Sequence, residues 1–148
     1  EYTELITAMT GLVQEEMSHF KMVHDLLKER NVTLGRDRKD AYVAKVITFF
    51  PKGGSRQTQL AHRLLYAALI EARSCERFRL LSEELSDEKL RRFYRKLMIS
   101  EAGHYTMFLK FARQYHDEAE VNQKWSDLLD FEAKILESFQ SGTSVHGW

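Results

Sequence analysis

The sequence has one cysteine, one proline, seven glycines and no net charge. The lone thiol, Cys75, rules out an intramolecular disulfide framework and fits a reducing compartment. The longest apolar run, Leu64 to Ile70, falls far short of the roughly 20 residues needed to span a bilayer. No charged-then-apolar signal segment opens the chain, so it reads as soluble and cytoplasmic, without a membrane. With the charges balanced, the molecule as a whole is not an obvious polyanion binder. Strand-like alternation and low-complexity segments are missing too, which leaves an all-α chain.

What is present fits one globular domain. The chain has 148 residues, 43% hydrophobic and 30% charged, which is enough for a single sizeable core. We read residues 1–148 as one helical domain. It begins at Glu1 without a methionine and already inside a helical period, as expected of an incomplete N-terminus.

Four long helices and one short one are predicted from periodicity and stop signals. Between about Tyr2 and Arg30, the residues Leu5, Met9, Leu12, Glu16, His19, Val23 and Leu26 recur in steps of four and three, the period of a packed helix face. Asn31 and Gly35 are the stop signals. A shorter helix follows over Asp37 to Phe50, closed by Pro51 and Gly53-Gly54-Ser55 as part of a long crossover. The next helix, about Gln57 to Glu84, carries the stripe Leu60, Leu64, Ala67, Glu71, Ser74, Phe78, Leu81. Ser86-Asp87-Glu88 then supplies a cap and an acidic first turn. The helix from about Asp87 to Tyr115 has the cleanest stripe: Leu90, Tyr94, Leu97, Glu101, His104, Phe108, Phe111, Tyr115. The last, about Glu118 to Phe139, carries Val121, Trp125, Leu128 or Leu129, Glu132, Ile135, Leu136 and Phe139, with acidic residues interleaved as on an outer helix.

Three of these stripes place carboxylates among apolar residues. An ionised carboxylate buried in a core costs several kcal/mol unless it is paired or bound to metal. No basic residue lies on the three stripes, and the partners available there are His19 and His104. A Glu and a His three residues apart share a helix face. Glu16–His19 and Glu101–His104 repeat that spacing, and Glu71 precedes Glu101 by thirty positions, about the interval at which an antiparallel neighbour returns a ligand to the same level. One such pair is common on charged helices and carries little. Two pairs on core stripes, joined by Glu71, form the donor set of bundle di-iron and di-manganese sites. In that arrangement Glu16 and Glu101 bridge or chelate, His19 and His104 each bind one metal, and Glu71 terminates the metal of His104. Glu15 and Glu76 fall off their stripes and read as surface or outer groups, and His24, His62, His116 and His146 as surface histidines.

Charge is unevenly spread along the chain. Between Lys28 and Arg63, nine basic residues (Lys28, Arg30, Arg36, Arg38, Lys39, Lys45, Lys52, Arg56, Arg63) face three acidic ones (Glu29, Asp37, Asp40). The excess of six positive charges is balanced by the remainder. Such asymmetry marks either a phosphate-binding face or an ordinary solvated loop.

Three segments carry a family resemblance: Gln14-Glu15-Glu16-Met17-Ser18-His19-Phe20, Ile70-Glu71-Ala72-Arg73-Ser74-Cys75-Glu76-Arg77-Phe78, and Ser100-Glu101-Ala102-Gly103-His104-Tyr105. Together they resemble the tRNA 2-methylthio-isopentenyladenosine hydroxylases, ferritin-like non-haem di-iron monooxygenases. The central nonapeptide is the most specific part, and the similarity runs over essentially the whole chain. The resemblance implies a ferritin-like four-helix bundle with an additional C-terminal helix. It implies two iron ions held by Glu16, His19, Glu71, Glu101 and His104, O₂ as co-substrate, an external electron donor delivered by a redox partner protein, and hydroxylation of the isopentenyl group of a modified adenosine in the tRNA anticodon loop. The target base would have to enter a pocket, with the basic crossover Lys28 to Arg63 as the candidate for phosphate contacts. The family pattern begins with a further helix that supplies a sixth ligand, a Glu to the metal held by His19. Here the residues before Glu16 correspond to the second bundle helix. The first is expected to be missing, leaving an apolar face and one metal position exposed.

Three other functions remain open at this point. Another ferritin-like oxygenase acting on a quinone or lipid-like substrate would share every ligand, and the nonapeptide argues against it. A non-catalytic iron-binding or storage bundle would take up iron without substrate-coupled O₂ consumption. A metal-free helical interaction module would need chance partners for three core carboxylates.

Overall fold

The computed structural model describes residues 2–36 and 39–139, and the chain falls into two compact units, Glu1–Arg38 and Lys39–Trp148. All regular elements among the described residues are helical. None of these helices is long and apolar enough to cross a membrane. The expected helix start at Asp37, and His146, lie outside the described residues.

The first unit is built on α1, Thr3–Glu29. Its C-terminus is closed by Asn31, which adopts φ 55°, a left-handed conformation that asparagine tolerates better than most side chains. This turn lets the Asn31 amide donate to Lys28 O at 3.0 Å and the Val32 amide to Leu27 O at 2.9 Å, satisfying two carbonyls of the last turn. Leu5 and His19 of the predicted stripe are buried. Val23 is exposed, which corrects its expected place on the packed face. A second apolar stripe on the same helix, Ile6, Val13, Met17 and Phe20, is more than half exposed at every position.

The second unit holds α2 (Ala41–Val46), α3 (Arg56–Glu84), α4 (Glu88–Tyr115) and α5 (Glu118–Glu137). The expected helix over Asp37 to Phe50 is shorter than the sequence suggested. Asp40 caps it by accepting from the Tyr42 and Val43 amides at 2.9 and 3.2 Å. Beyond Val46 the chain tightens into a 3₁₀ turn, Ile47–Phe49. Phe50 then turns extended, as a residue before proline must. Gly53 and Gly54, both at φ 92°, carry the chain into Ser55, whose hydroxyl caps α3 by accepting from the Thr58 amide at 3.0 Å.

A three-residue turn joins α3 to α4, and the two helices pack along each other as the backbone of the unit. Asp87 caps α4. α5 lies against α4, and α2 against α5. The core is filled by Leu65 and Leu69 of α3, Leu128 of α5, and Tyr42 and Val46 of α2, all essentially inaccessible. Leu128, not Leu129, is the inward residue of α5. α3 is buried on more than the predicted stripe: Ala61, Leu65 and Ala68 form a second covered face, so periodicity along one line understates its contacts.

Candidate metal centre

In the second unit, α4 buries Glu101 and His104 on successive turns, and Leu97 and Phe108, one turn to either side on the same stripe, are buried as well. α3 presents Glu71 to the same imidazole. His104 Nδ1 lies 3.9 Å from Glu71 Oε2 and 3.9 Å from Glu101 Oε2. These separations are too long for hydrogen bonds, yet they suit donors that share an ion. Two ligand atoms each about 2.0–2.2 Å from one first-row metal ion can be at most about 4.3 Å apart. Two carboxylates and an imidazole also match the ligand preference of iron, manganese or zinc, so the residues present fit a bound metal.

In the first unit, His19 Nδ1 lies 3.2 Å from Glu16 Oε1, and His19 Nε2 lies 3.9 Å from Glu15 Oε1. The Glu16 side chain is 45% exposed and His19 is buried. The i, i+3 geometry therefore orients the ring, as a carboxylate beside a ligating histidine commonly does. Each unit brings its own predicted Glu and His together.

Close to Glu71, α3 carries two further groups. Cys75, one turn on, has its thiol pushed up by burial and then by the negative charge of Glu101, which favours the protonated form. Arg73 has a larger structural part, which the sequence reading did not find. Arg73 Nε lies 3.0 Å from Glu132 Oε1 of α5, and its guanidinium also contacts Glu76 of its own helix. The Tyr42 hydroxyl of α2 donates to the same Glu132 oxygen at 2.8 Å. Burial, then the Glu132 charge and hydrogen bond, push the Tyr42 hydroxyl far above its ordinary range. Glu132 stands among apolar residues of the α5 stripe, which was the available signal; its partner Arg73 lies off the α3 stripe and so escaped notice.

His62 was also misread. It is buried, not a surface residue, because it belongs to the second covered face of α3. Burial, then the charges of Lys124 and His116, lower its proton affinity and hold it neutral. Its ring lies 5.2 Å from that of Phe50.

Comparison with known proteins bears on the fold and the family. A family profile described as tRNA-(MS[2]IO[6]A)-hydroxylase (MiaE) matches residues 1–147. A tRNA 2-(methylsulfanyl)-N(6)-isopentenyladenosine(37) hydroxylase of Pseudomonas putida is 39% identical over 120 residues, covering 81% of this chain and 57% of the relative. The enzyme of the same name from Salmonella typhimurium is 36% identical over 156 residues, covering 97% of this chain and 54% of the relative. The chain thus spans about half the length of the curated relatives it matches. A solved structure, Protein 43 with aldehyde deformylating oxygenase activity from Synechococcus, superposes with a TM-score of 0.84 at 31% identity, over 95% of this chain and 68% of that one. The helical architecture is therefore of the ferritin-like kind.

Proposed function

Because the chain belongs to the MiaE family of tRNA hydroxylases, we propose that it takes part in O₂-dependent hydroxylation of the isopentenyl group of 2-methylthio-isopentenyladenosine in tRNA. Two iron ions would be held by Glu16, His19, Glu71, Glu101 and His104. The observation that carries this reading is the convergence of the Glu71 and Glu101 carboxylates on His104 Nδ1, with Glu101 and His104 on the buried face of α4.

Bound iron supplies the oxidising power that an unactivated C–H bond demands and that no side chain possesses. The protein's own residues position and shield. Glu71, Glu101 and His104 would hold one ion and offset its charge, and Glu16 and His19 would do so for the second. Leu97 and Phe108 keep water from the α4 ligands. Arg73, fixed to Glu132, holds the Glu71 turn of α3 against α5. Electrons come from an external donor through a redox partner protein. The tRNA substrate places the reaction in the cytoplasm.

A second reading draws on the solved relative described as having aldehyde deformylating oxygenase activity. The same donor set could serve an aldehyde. One experiment separates the two. The iron-loaded protein is supplied with O₂, a reductant and either tRNA bearing 2-methylthio-isopentenyladenosine or an aliphatic aldehyde, and products are identified by mass spectrometry. Gain of one oxygen atom on the modified nucleoside supports the tRNA reading. An iron-replete protein that leaves the nucleoside unchanged but consumes the aldehyde would overturn it.

A further inference from the structure

A cavity of about 280 Å³ opens in the second unit, away from the metal ligands, lined among others by Pro51, Ala61, His62, His116, Glu120 and Lys124. Its floor is hydrophobic and closed: Ala61, Leu65 and Val121 are buried. Around that floor stand two imidazoles, one carboxylate and one ammonium. The cavity falls just short of the about 300 Å³ at which pockets for drug-sized ligands begin; that is room for one planar ring system. His116 Nδ1 and Glu120 Oε2 lie 3.6 Å apart, but among the described residues no group of three His, Cys, Asp or Glu side chains close enough to hold a metal ion includes them or His62, and the apolar floor favours an organic ligand.

The polar groups narrow the class. His62 is neutral, wedged against Phe50, and offers a planar face and a hydrogen-bonding nitrogen. His116 Nδ1 accepts from the Asp117 amide at 2.8 Å, which leaves its other nitrogen to act as a donor. Lys124 Nζ lies 5.6 Å from the centre of the Phe49 ring, which steadies the ammonium at the cavity mouth. Lys52, Arg56 and Arg63, sequence neighbours of Pro51, Thr58 and His62, are exposed. They form the distal half of the basic crossover noted in the sequence. An apolar floor, imidazole faces for stacking, a lysine in the lining and further exposed cations on the neighbouring chain, outnumbering Glu120, are the elements with which proteins take single-stranded RNA, base inward and phosphate outward.

His62 precedes Glu71 by nine residues on α3, about 14 Å at the helical rise. This is far enough that the cavity is separate from the metal ligands, and near enough for another nucleotide of the same loop. Resting on the tRNA reading above, we infer that this cavity binds one unpaired nucleotide of the RNA substrate other than the one oxidised. The base lies on Ala61, Leu65 and Val121 between the imidazoles, and its phosphate meets Lys124.

The test is fluorescence anisotropy of a labelled anticodon stem–loop RNA with the iron-loaded protein over a range of salt. Lys124→Ala should weaken binding about fivefold and lower the slope of log affinity against log salt by about one, as loss of a single phosphate contact does. His116→Ala should weaken binding about 5- to 10-fold by loss of stacking, with the slope unchanged. Both residues are only partly covered, and circular dichroism confirms that each variant is folded. RNA affinity within twofold of the parent in both variants overturns the inference. If the parent still hydroxylates modified tRNA in that case, the tRNA reading stands without the cavity; if the parent neither binds nor hydroxylates the RNA, both fall. Unchanged RNA affinity with slower reduction of the iron would give the cavity to a redox protein, which also overturns it.

Discussion

Tyr42 and Glu132 stand 90 positions apart in sequence, yet the tyrosine hydroxyl donates to the Glu132 carboxylate at 2.8 Å in the interior of the second unit. Arg73 approaches the same oxygen at 3.0 Å, so one acidic side chain ties α2, α3 and α5 together. A buried charge of this kind adds little net stability beyond an apolar substitute, but removing one partner is costly because the others stay buried. Glu132→Ala should lower unfolding free energy by about 2–3 kcal/mol, less than the largest such losses because Glu76 remains on Arg73. Tyr42→Phe should cost about 1 kcal/mol. In a double-mutant cycle followed by urea denaturation, the two losses should fail to add; additive losses would dissolve the proposed network.

The metal assignment predicts a stoichiometric effect. Each histidine is assigned one ion, so His104→Ala should lose about half of the bound iron measured by plasma emission, and His19→Ala the other half. Removing all metal with a chelator should lower the melting temperature of the parent protein, since an ion that binds only the folded state stabilises it by mass action. The double variant should show no further response to chelator. Full iron occupancy in either single variant would contradict the assignment.

Asn31 provides a backbone test in the first unit. Its φ of 55° is tolerable for asparagine and poor for a β-branched residue. Asn31→Val should destabilise the α1 terminus by about 1–2 kcal/mol, whereas Asn31→Gly should match or exceed the parent. Hydrogen exchange at the Val32 amide, which donates to Leu27 O, reads the effect directly; equal protection in all three proteins would refute the left-handed cap.

The legible parts of this protein were those encoded on a single helix. Glu101 and His104 could be seen because both lie on the one apolar line of α4, and the structure buries both. The start of α4 was readable from Ser86-Asp87-Glu88, and Asp87 caps it, whereas the caps Ser55 of α3 and Asp117 of α5 were not singled out. What escaped depends on a second line of contact. His62 was taken for a surface group because it has no carboxylate partner at ligand spacing, and its burial arises from the second face of α3 shared with Ala61 and Leu65. Arg73 was missed as a counter-ion because its partner is on α5, and pairing across 59 positions leaves no periodic trace. The stop at Pro51 was read, and Phe50 before it is extended, but the tightening of the helix into a 3₁₀ turn after Val46 left no mark in the hydrophobic pattern.

Burial of His62 makes stability depend on pH in a definite direction. Its proton affinity in the folded chain lies below the ordinary value of 6.5 because desolvation, then Lys124 and His116, oppose the charged form. Glu120, the acidic group lining the same cavity, does not reverse this direction. As pH falls through 6.5, the unfolded chain takes up a proton at this position before the folded chain does, so the unfolded state is favoured. The stabilising contribution of neutral His62 is complete above that pH and is lost on the way down to its folded value. Melting curves between pH 8 and pH 5 should therefore fall more steeply for the parent than for His62→Gln, whose side chain is neutral in both states. The two curves should draw together, or cross, towards the acid end. Parallel curves would mean that His62 takes up its proton equally in both states, and that the closed floor of the cavity does not exclude water as described.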